Sequence, residues 1–295
     1  MPHFADILQY LIGGITSGSI YAIVAIGFAI IYNATEIINF AQGEFVMLGA
    51  LIYISFSRFF GFPLVVSFAF SVVSVTIIGF IMDLLVIRPV KKPNPISLII
   101  ITIGASIFIQ GIAMRLWGKD PYPSADPFSS ETPINFFGAS IMPQTLWIIG
   151  ITLIILVILH FFFEYTIIGK AVKACAINRR AASLLGIKAK KMVLISFGLS
   201  GALGAISGII IAPITFASYK MGTMLGLKGF CGAVIGGLGS IPGAIIGGFS
   251  LGIFESLGAG LISSDFKDAI AFVILLAVLF IRPSGIVNKG EIKRV

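Results

Sequence analysis

Charge is what this chain has least of. Of its 295 residues only 11% are Asp, Glu, Lys or Arg, under half the share of about 25% usual in soluble domains. The apolar set is correspondingly large, 58% of residues with a mean hydropathy of +1.08. Together these values exclude a soluble enzyme, a disordered chain and a disulfide scaffold, and they leave lipid as the solvent for most of the chain.

Other scarcities narrow the field further. Only two histidines occur, His3 and His160, so histidine catalysis and a His-rich metal site have no material. Cys175 and Cys231 stand in a loop and in an apolar run, and neither reads as half of a disulfide or metal pair. There is no Asp pair or Ser–His pair to support an intramembrane enzyme, and no G-x-x-x-x-G-K-[ST] phosphate loop, so no catalytic, metal or cofactor residue is assigned. Leu199-Ser200-Gly201 resembles the opening of the ATP-cassette signature, but it lies inside an apolar run and continues Ala-Leu-Gly. The first residues lack the basic region and small-residue cleavage site of a secretory signal and read as an uncleaved first span.

What is present is a series of long apolar runs without period-2 alternation, so helices and not a barrel cross the membrane. The spans read as Ile7 to Tyr32, Ile37 to Ser57, Pro63 to Ile87, Ile96 to Trp117, Thr145 to Phe163 and Met192 to Ala212. A Gly-rich stretch from Leu225 to Ser263 and a short run from Ala269 to Ile281 follow. The expected fold is all-α: a polytopic transmembrane bundle of about 8–9 spans, with broken or re-entrant Gly-rich helices, forming a single domain over residues 1–295.

Net charge is +8, which in a soluble protein would suggest nucleic acid. Here 14 of the 20 Lys and Arg fall in three places: Arg88, Lys91 and Lys92; seven residues between Lys170 and Lys191; and Arg282, Lys289, Lys293 and Arg294. Placing all three on the cytoplasmic side follows the positive-inside rule and puts the N-terminus outside. The loop from Gly118 to Gln144, with Asp120, Asp126 and Glu131 against Lys119, is then external. Parity requires residues 225–263 to cross twice or not at all, with a turn at Gly239-Ser-Ile-Pro-Gly243.

Small-xxx-small pairs let helix backbones approach. They occur as Gly14/Gly18, Gly204/Gly208, Gly232/Gly236, Gly243/Gly247 and Gly248/Gly252, and eleven glycines fall within the 32 residues from Gly229 to Gly260. Such density fits either internal packing or a subunit interface. Residues Gly14 to Ile52 and Gly198 to Leu238 both read as a small-residue helix followed by a Gly-broken segment, the pattern of an inverted repeat.

Polar residues inside the apolar runs mark candidate sites. Asn39, Gln42 and Glu44 open the second span, either lining a permeation path or fixing a broken helix beside it, or, for Glu44, acting as a first-turn acid favoured by the helix dipole. Glu255, in the second Gly-rich helix, is a fourth candidate for the path and could pair with Lys228, just before the first. Asp83 is expected to snorkel to water near Arg88, and Gln110 to make an interhelical hydrogen bond. The loop Glu164 to Lys191 is patterned as helix, with Asn178 capping Arg179 to Leu185 and Gly186 ending it. This small basic helix suits a groove on a cytoplasmic partner, or a surface of anionic lipid.

Arg180-Ala181-Ala182-Ser-Leu-Leu-Gly186 resembles the EAA-x-x-x-G motif of ABC importer permeases, with Arg180 in the place of the motif's Glu. Gly169-Lys170-Ala171, the later Ala-Ala-x-x-x-Gly-Ile and Ile38-Asn39-Phe40-Ala41-x-Gly43-Glu44-Phe45 resemble the branched-chain amino-acid ABC permeases, in particular their LivH-type subunit, from about Leu11 to Pro283. The resemblance implies a multi-pass subunit of a bacterial inner membrane that moves leucine, isoleucine or valine. It implies as partners a second, LivM-type permease, cytoplasmic ATPase subunits that bind the ATP, and a periplasmic binding protein. Asn178, Arg179, Arg180, Ala181, Ala182 and Gly186 would then contact the ATPase. Urea or short amides are the alternative cargo. An ion-coupled carrier working alone is the rival class.

Overall fold

A computed structural model describes residues 4–90, 94–123, 132–136 and 138–287. Lys91, Lys92, Asp126, Glu131, Lys289, Lys293, Arg294 and His3, used above, lie outside the described residues. The helices are α1 (Phe4–Thr35), α2 (Gln42–Ile54), α3 (Leu64–Ile81), α4 (Pro95–Trp117), α5 (Pro143–Tyr165), α6 (Ile167–Ile177), α7 (Arg179–Leu184), α8 (Ala189–Thr215), α9 (Met221–Gly236), α10 (Ile241–Leu261) and α11 (Lys267–Ile281). α2 and α3 each run on into a wider π-helical turn, at Ser55–Phe59 and Met82–Ile87. Six helices are long and apolar enough to cross a membrane, and α3 with its π-helical turn reaches 24 residues. α2, α9 and α11 are shorter. The chain is thus a polytopic helical membrane protein.

The expected spans hold with shifted ends. The second begins at Gln42, five residues later than read, because residues 37–41 are non-helical and join two helices at a break. The turn of the Gly-rich hairpin lies at residues 237–240, ahead of the expected place, because Ser240 caps α10 by accepting the Gly243 N–H and Pro242 stands in the first helical turn. α9 accordingly starts at Met221, and Lys228 lies inside it. The loop between α4 and α5 holds a small hairpin that hydropathy does not report, β1 (Ile134–Phe136) paired antiparallel with β2 (Ala139–Ile141). Gln9 clips it to α1: its Nε2 donates to the Ser140 carbonyl at 3.0 Å and its Oε1 accepts the Ser140 N–H at 2.8 Å.

Contacts gather the chain into two compact units. One comprises Met1–Ala29, Asp126–Thr152 and Leu227–Val295, the other Ile30–Ala125 and Leu153–Gly226. In each, backbone meets backbone at glycine. Within the first, a methyl placed on Gly14 would lie 2.7 Å from Ile253 Cα, one on Gly252 2.3 Å from Gly18 N, and one on Gly236 1.8 Å from the Gly243 carbonyl oxygen. Gly232 and Gly247 meet on the same α9–α10 contact. Within the second, α8 lies against α2 through Gly204 on Phe45 and Gly208 on Val46, and against α3 through Gly201 on Val75. The small-residue pairs therefore pack internally.

The outer helices explain the hydropathy. The most apolar stretch of α1 is 83% buried, whereas that of α4 is 17% buried. Ile100, Ile107 and Phe108 of α4 and Ile154 and Ile158 of α5 are exposed, a surface that water would not tolerate but hydrocarbon does. α1 stops just before Glu36 and α8 just before Phe216, two residues that both have φ of +58°, and a shorter helix follows each.

Gly208→Leu is expected to cost about 1–3 kcal/mol or more by overpacking, since its Cβ would lie 1.9 Å from the Val46 carbonyl oxygen. Gly150→Ala, with open space around the new methyl, should leave stability unchanged. Thermal unfolding of the detergent-purified chain measures both.

Candidate functional site

The break between α1 and α2 places three predicted polar residues together in the second unit. Asn39 is buried, and its Oδ1 accepts the Ala41 N–H at 3.2 Å. Gln42 is held by α8: its Nε2 donates to the Ser200 carbonyl at 3.3 Å, and Ser200 Oγ donates to its Oε1. Glu44 Oε1 accepts the Ser106 hydroxyl at 2.9 Å. Gly43, between them, meets the start of α9, where a methyl on it would lie 2.1 Å from the Gly222 carbonyl oxygen. Two helix N-termini, those of α2 and α9, thus meet beside a buried carboxylate.

α4 binds this junction through one face. Thr102 accepts the Phe40 N–H at 3.2 Å, Ser106 bonds Glu44, and Gln110 Nε2 donates to Thr223 Oγ1 at 2.9 Å. Gln110 is the interhelical bond former expected of it. Thr102 and Ser106 were missed, although the spacing 102, 106, 110 puts all three on one helical stripe and was the available signal. Ser200 and Thr223 carried no such signal.

Glu255 lies elsewhere, in the first unit. It is fully buried, and its Oε1 accepts from Lys228 Nζ at 3.0 Å, Tyr21 hydroxyl at 3.1 Å and Lys267 Nζ at 3.5 Å. Lys228 also reaches Asp268 at 2.6 Å and lies over the Tyr21 ring at 5.7 Å. The expected Lys228–Glu255 pair is therefore present, within a four-charge network of zero net charge. Asp83 departs from expectation: it is 2% exposed and bonded to Arg88 at 2.8 Å. The π-helical turn at Met82–Ile87 carries it inward, so Arg88 comes to the acid and the acid does not reach for water.

The basic loop is helical, as α6 and α7. Asn178 caps α7, its Oδ1 accepting the N–H groups of Arg180 and Ala181 at 3.0 and 2.9 Å. Gly186 ends the turn at φ +85°, a value that favours glycine. Ala182 faces inward; Arg179, Arg180 and Ala181 are exposed, as are Leu184 and Leu185 at 89% and 82%. Beneath, Val172 and Cys175 of α6 are buried, and burial pushes the Cys175 thiol pKa upward. A cavity of about 490 Å³ opens beside α7, lined by Glu36, Asp83, Arg88, Arg179 and Lys190 among others.

Apolar helices that expose large hydrophobic side chains, with polar groups buried where one helix breaks and the next begins, define a multi-pass membrane protein of the transport class. The family described as "Branched-chain amino acid transport system / permease component" matches residues 10–279, and the chain belongs to it. The high-affinity branched-chain amino acid transport system permease protein LivH of Escherichia coli (strain K12) is 33% identical over 99% of each chain. The corresponding protein BraD of Pseudomonas aeruginosa is 34% identical over 100% of each. Among solved structures, PsaBC from Streptococcus pneumoniae in complex with Fab superposes with a TM-score of 0.50 at 14% identity, covering 95% of this chain and 93% of that one; this likeness concerns the fold alone.

Lys228→Met leaves Glu255 buried with Lys267 at 3.5 Å, and is expected to destabilise by about 3–5 kcal/mol. Adding Glu255→Gln should recover part of the loss. Unfolding midpoints of the two single variants and the double variant test the coupling.

Proposed function

We propose that the chain is the membrane-spanning permease subunit of an ATP-driven ABC importer for leucine, isoleucine and valine. It acts as one transmembrane domain in a bacterial inner membrane, with the N-terminus outside and the C-terminus in the cytoplasm. A second, LivM-type permease completes the pathway, a periplasmic binding protein delivers the amino acid, and cytoplasmic ATPase subunits bind and hydrolyse the ATP.

The observation that carries this reading is the exposed α7 in a chain of this family. A short helix that presents Arg179, Arg180, Leu184 and Leu185 outward, while Ala182 seats it on the protein, offers a mixed apolar and basic knob to a partner groove. Closure of the ATPases pushes α7, and α5 and α8, joined to it through α6 and the 185–188 turn, tilt to open the pathway on one side and then the other. Asn39, Gln42 and Glu44 line that pathway at the broken helix. Glu255, assigned to it from sequence, is engaged by three donors and serves the pathway by fixing α9 and α10.

The test is ATP-driven uptake of labelled leucine by the complete complex in proteoliposomes, with urea as competitor. Leucine uptake that urea leaves untouched supports the reading; ATP-dependent urea uptake in its place removes the amino-acid assignment. Gly186→Val forces a β-branched residue into left-handed backbone, which costs about 1–3 kcal/mol. It is expected to abolish uptake while the chain still inserts, and unchanged uptake would remove the role of α7.

A further inference from the structure

Three acids are buried among the described residues: Glu44, Asp83 and Glu255. Asp83 has Arg88, and Glu255 has Lys228 and Lys267. Glu44 has a hydroxyl on Oε1 and, among the described residues, no partner on Oε2 and no cation in ion-pair range. It is 1% exposed. A carboxyl group in such a place stays charged only with a counter-charge beside it, and no Lys or Arg among the described residues pairs with it.

What faces the bare oxygen is the first turn of α9. A methyl placed on Gly222 would lie 2.9 Å from Glu44 Oε2 and 2.6 Å from the Gly43 carbonyl oxygen, so only a residue without a side chain lets the two turns and the carboxyl group come this close. α9 is 16 residues long, and the N–H groups of its first turn make a positive end suited to an anion. An unpartnered carboxyl oxygen and the positive end of a helix lie side by side. That juxtaposition complements a zwitterion whose opposite charges are separated by two bonds' length of carbon.

We infer that Glu44 and the first turn of α9 hold the charged head of an α-amino acid, its ammonium on Glu44 Oε2 and its carboxylate at the positive end of α9 beside Gly222. The backbones of Gly43 and Gly222 are in contact in the structure, so the site is shut and receives the head group when the two turns part. The aliphatic side chain of the cargo needs no charged partner. This inference rests on the amino-acid cargo proposed above.

The test uses the complex of this chain with its second permease and ATPases, in nanodiscs and without the binding protein. Labelled leucine is competed with 4-methylpentanoate, which lacks the amino group, and with isopentylamine, which lacks the carboxylate. The wild-type complex should bind leucine at least about tenfold more tightly than either analogue, a charge-assisted bond being worth that much or more. Glu44→Gln, which keeps the shape and the Ser106 bond, should weaken leucine about tenfold and erase the preference over 4-methylpentanoate, while Glu44→Asp restores part of both. Uptake driven by loaded binding protein should fall in parallel in Glu44→Gln, with co-purification of the subunits confirming assembly. An assembled Glu44→Gln complex that binds and imports leucine like wild type overturns the head-group site and leaves the amino-acid reading standing. A wild-type complex that neither binds nor imports leucine overturns both.

Discussion

A peptide group in hydrocarbon has no water to turn to, and the architecture follows from meeting that constraint twice, at residues 36–41 and 216–220. Each break interrupts a helix ladder; Asn39, Ala41 and Ala217 are buried there, while Glu36, Phe216 and Lys220 are exposed. Within the second unit the partners come from a neighbouring helix, from the break itself and from the loop after α4. Thr102 accepts the Phe40 N–H, Asn39 accepts the Ala41 N–H, and Tyr122 exchanges backbone bonds with Ala217. The breaks in turn direct two helix ends at each other, and the polar site is the outcome.

Glycine makes that enclosure close enough to work. Lipid tails offer no hydrophobic gain for bringing helices together, so contact area and backbone proximity do the holding. α8 shows the principle on two sides at once, with Gly204 and Gly208 against α2 and Gly201 against α3. Contacts without interlocking side chains also lack a mechanical catch.

Much of this was legible before any coordinates. α1, α3, α4, α5 and α8 announce themselves as runs of about 20 apolar residues, and Asn178 and Gly186 bracket α7 by ordinary capping chemistry. Glu255 and Lys228 were readable as partners because opposite charges in apolar sequence have few other places to go. The start of α2 was not, because Ile37, Ile38 and Phe40 are as apolar as the helix they precede. Thr102 and Ser106 hid as hydroxyls among isoleucines, where a bond to the helix's own backbone satisfies them equally well. Asp83 misled because its burial depends on a π-helical turn, which no residue in Met82–Ile87 advertises. The hairpin at Ile134–Ile141 is too brief for period-2 alternation to register.

Glu36 and Phe216 share one further property. Both adopt a left-handed backbone at φ +58° without being glycine, a conformation that costs on the order of 1–3 kcal/mol at each. Each stores that energy at the joint where a long helix stops and a shorter one begins. Any rearrangement that let either residue return to ordinary backbone would recover it, so bending at these two joints starts from raised ground.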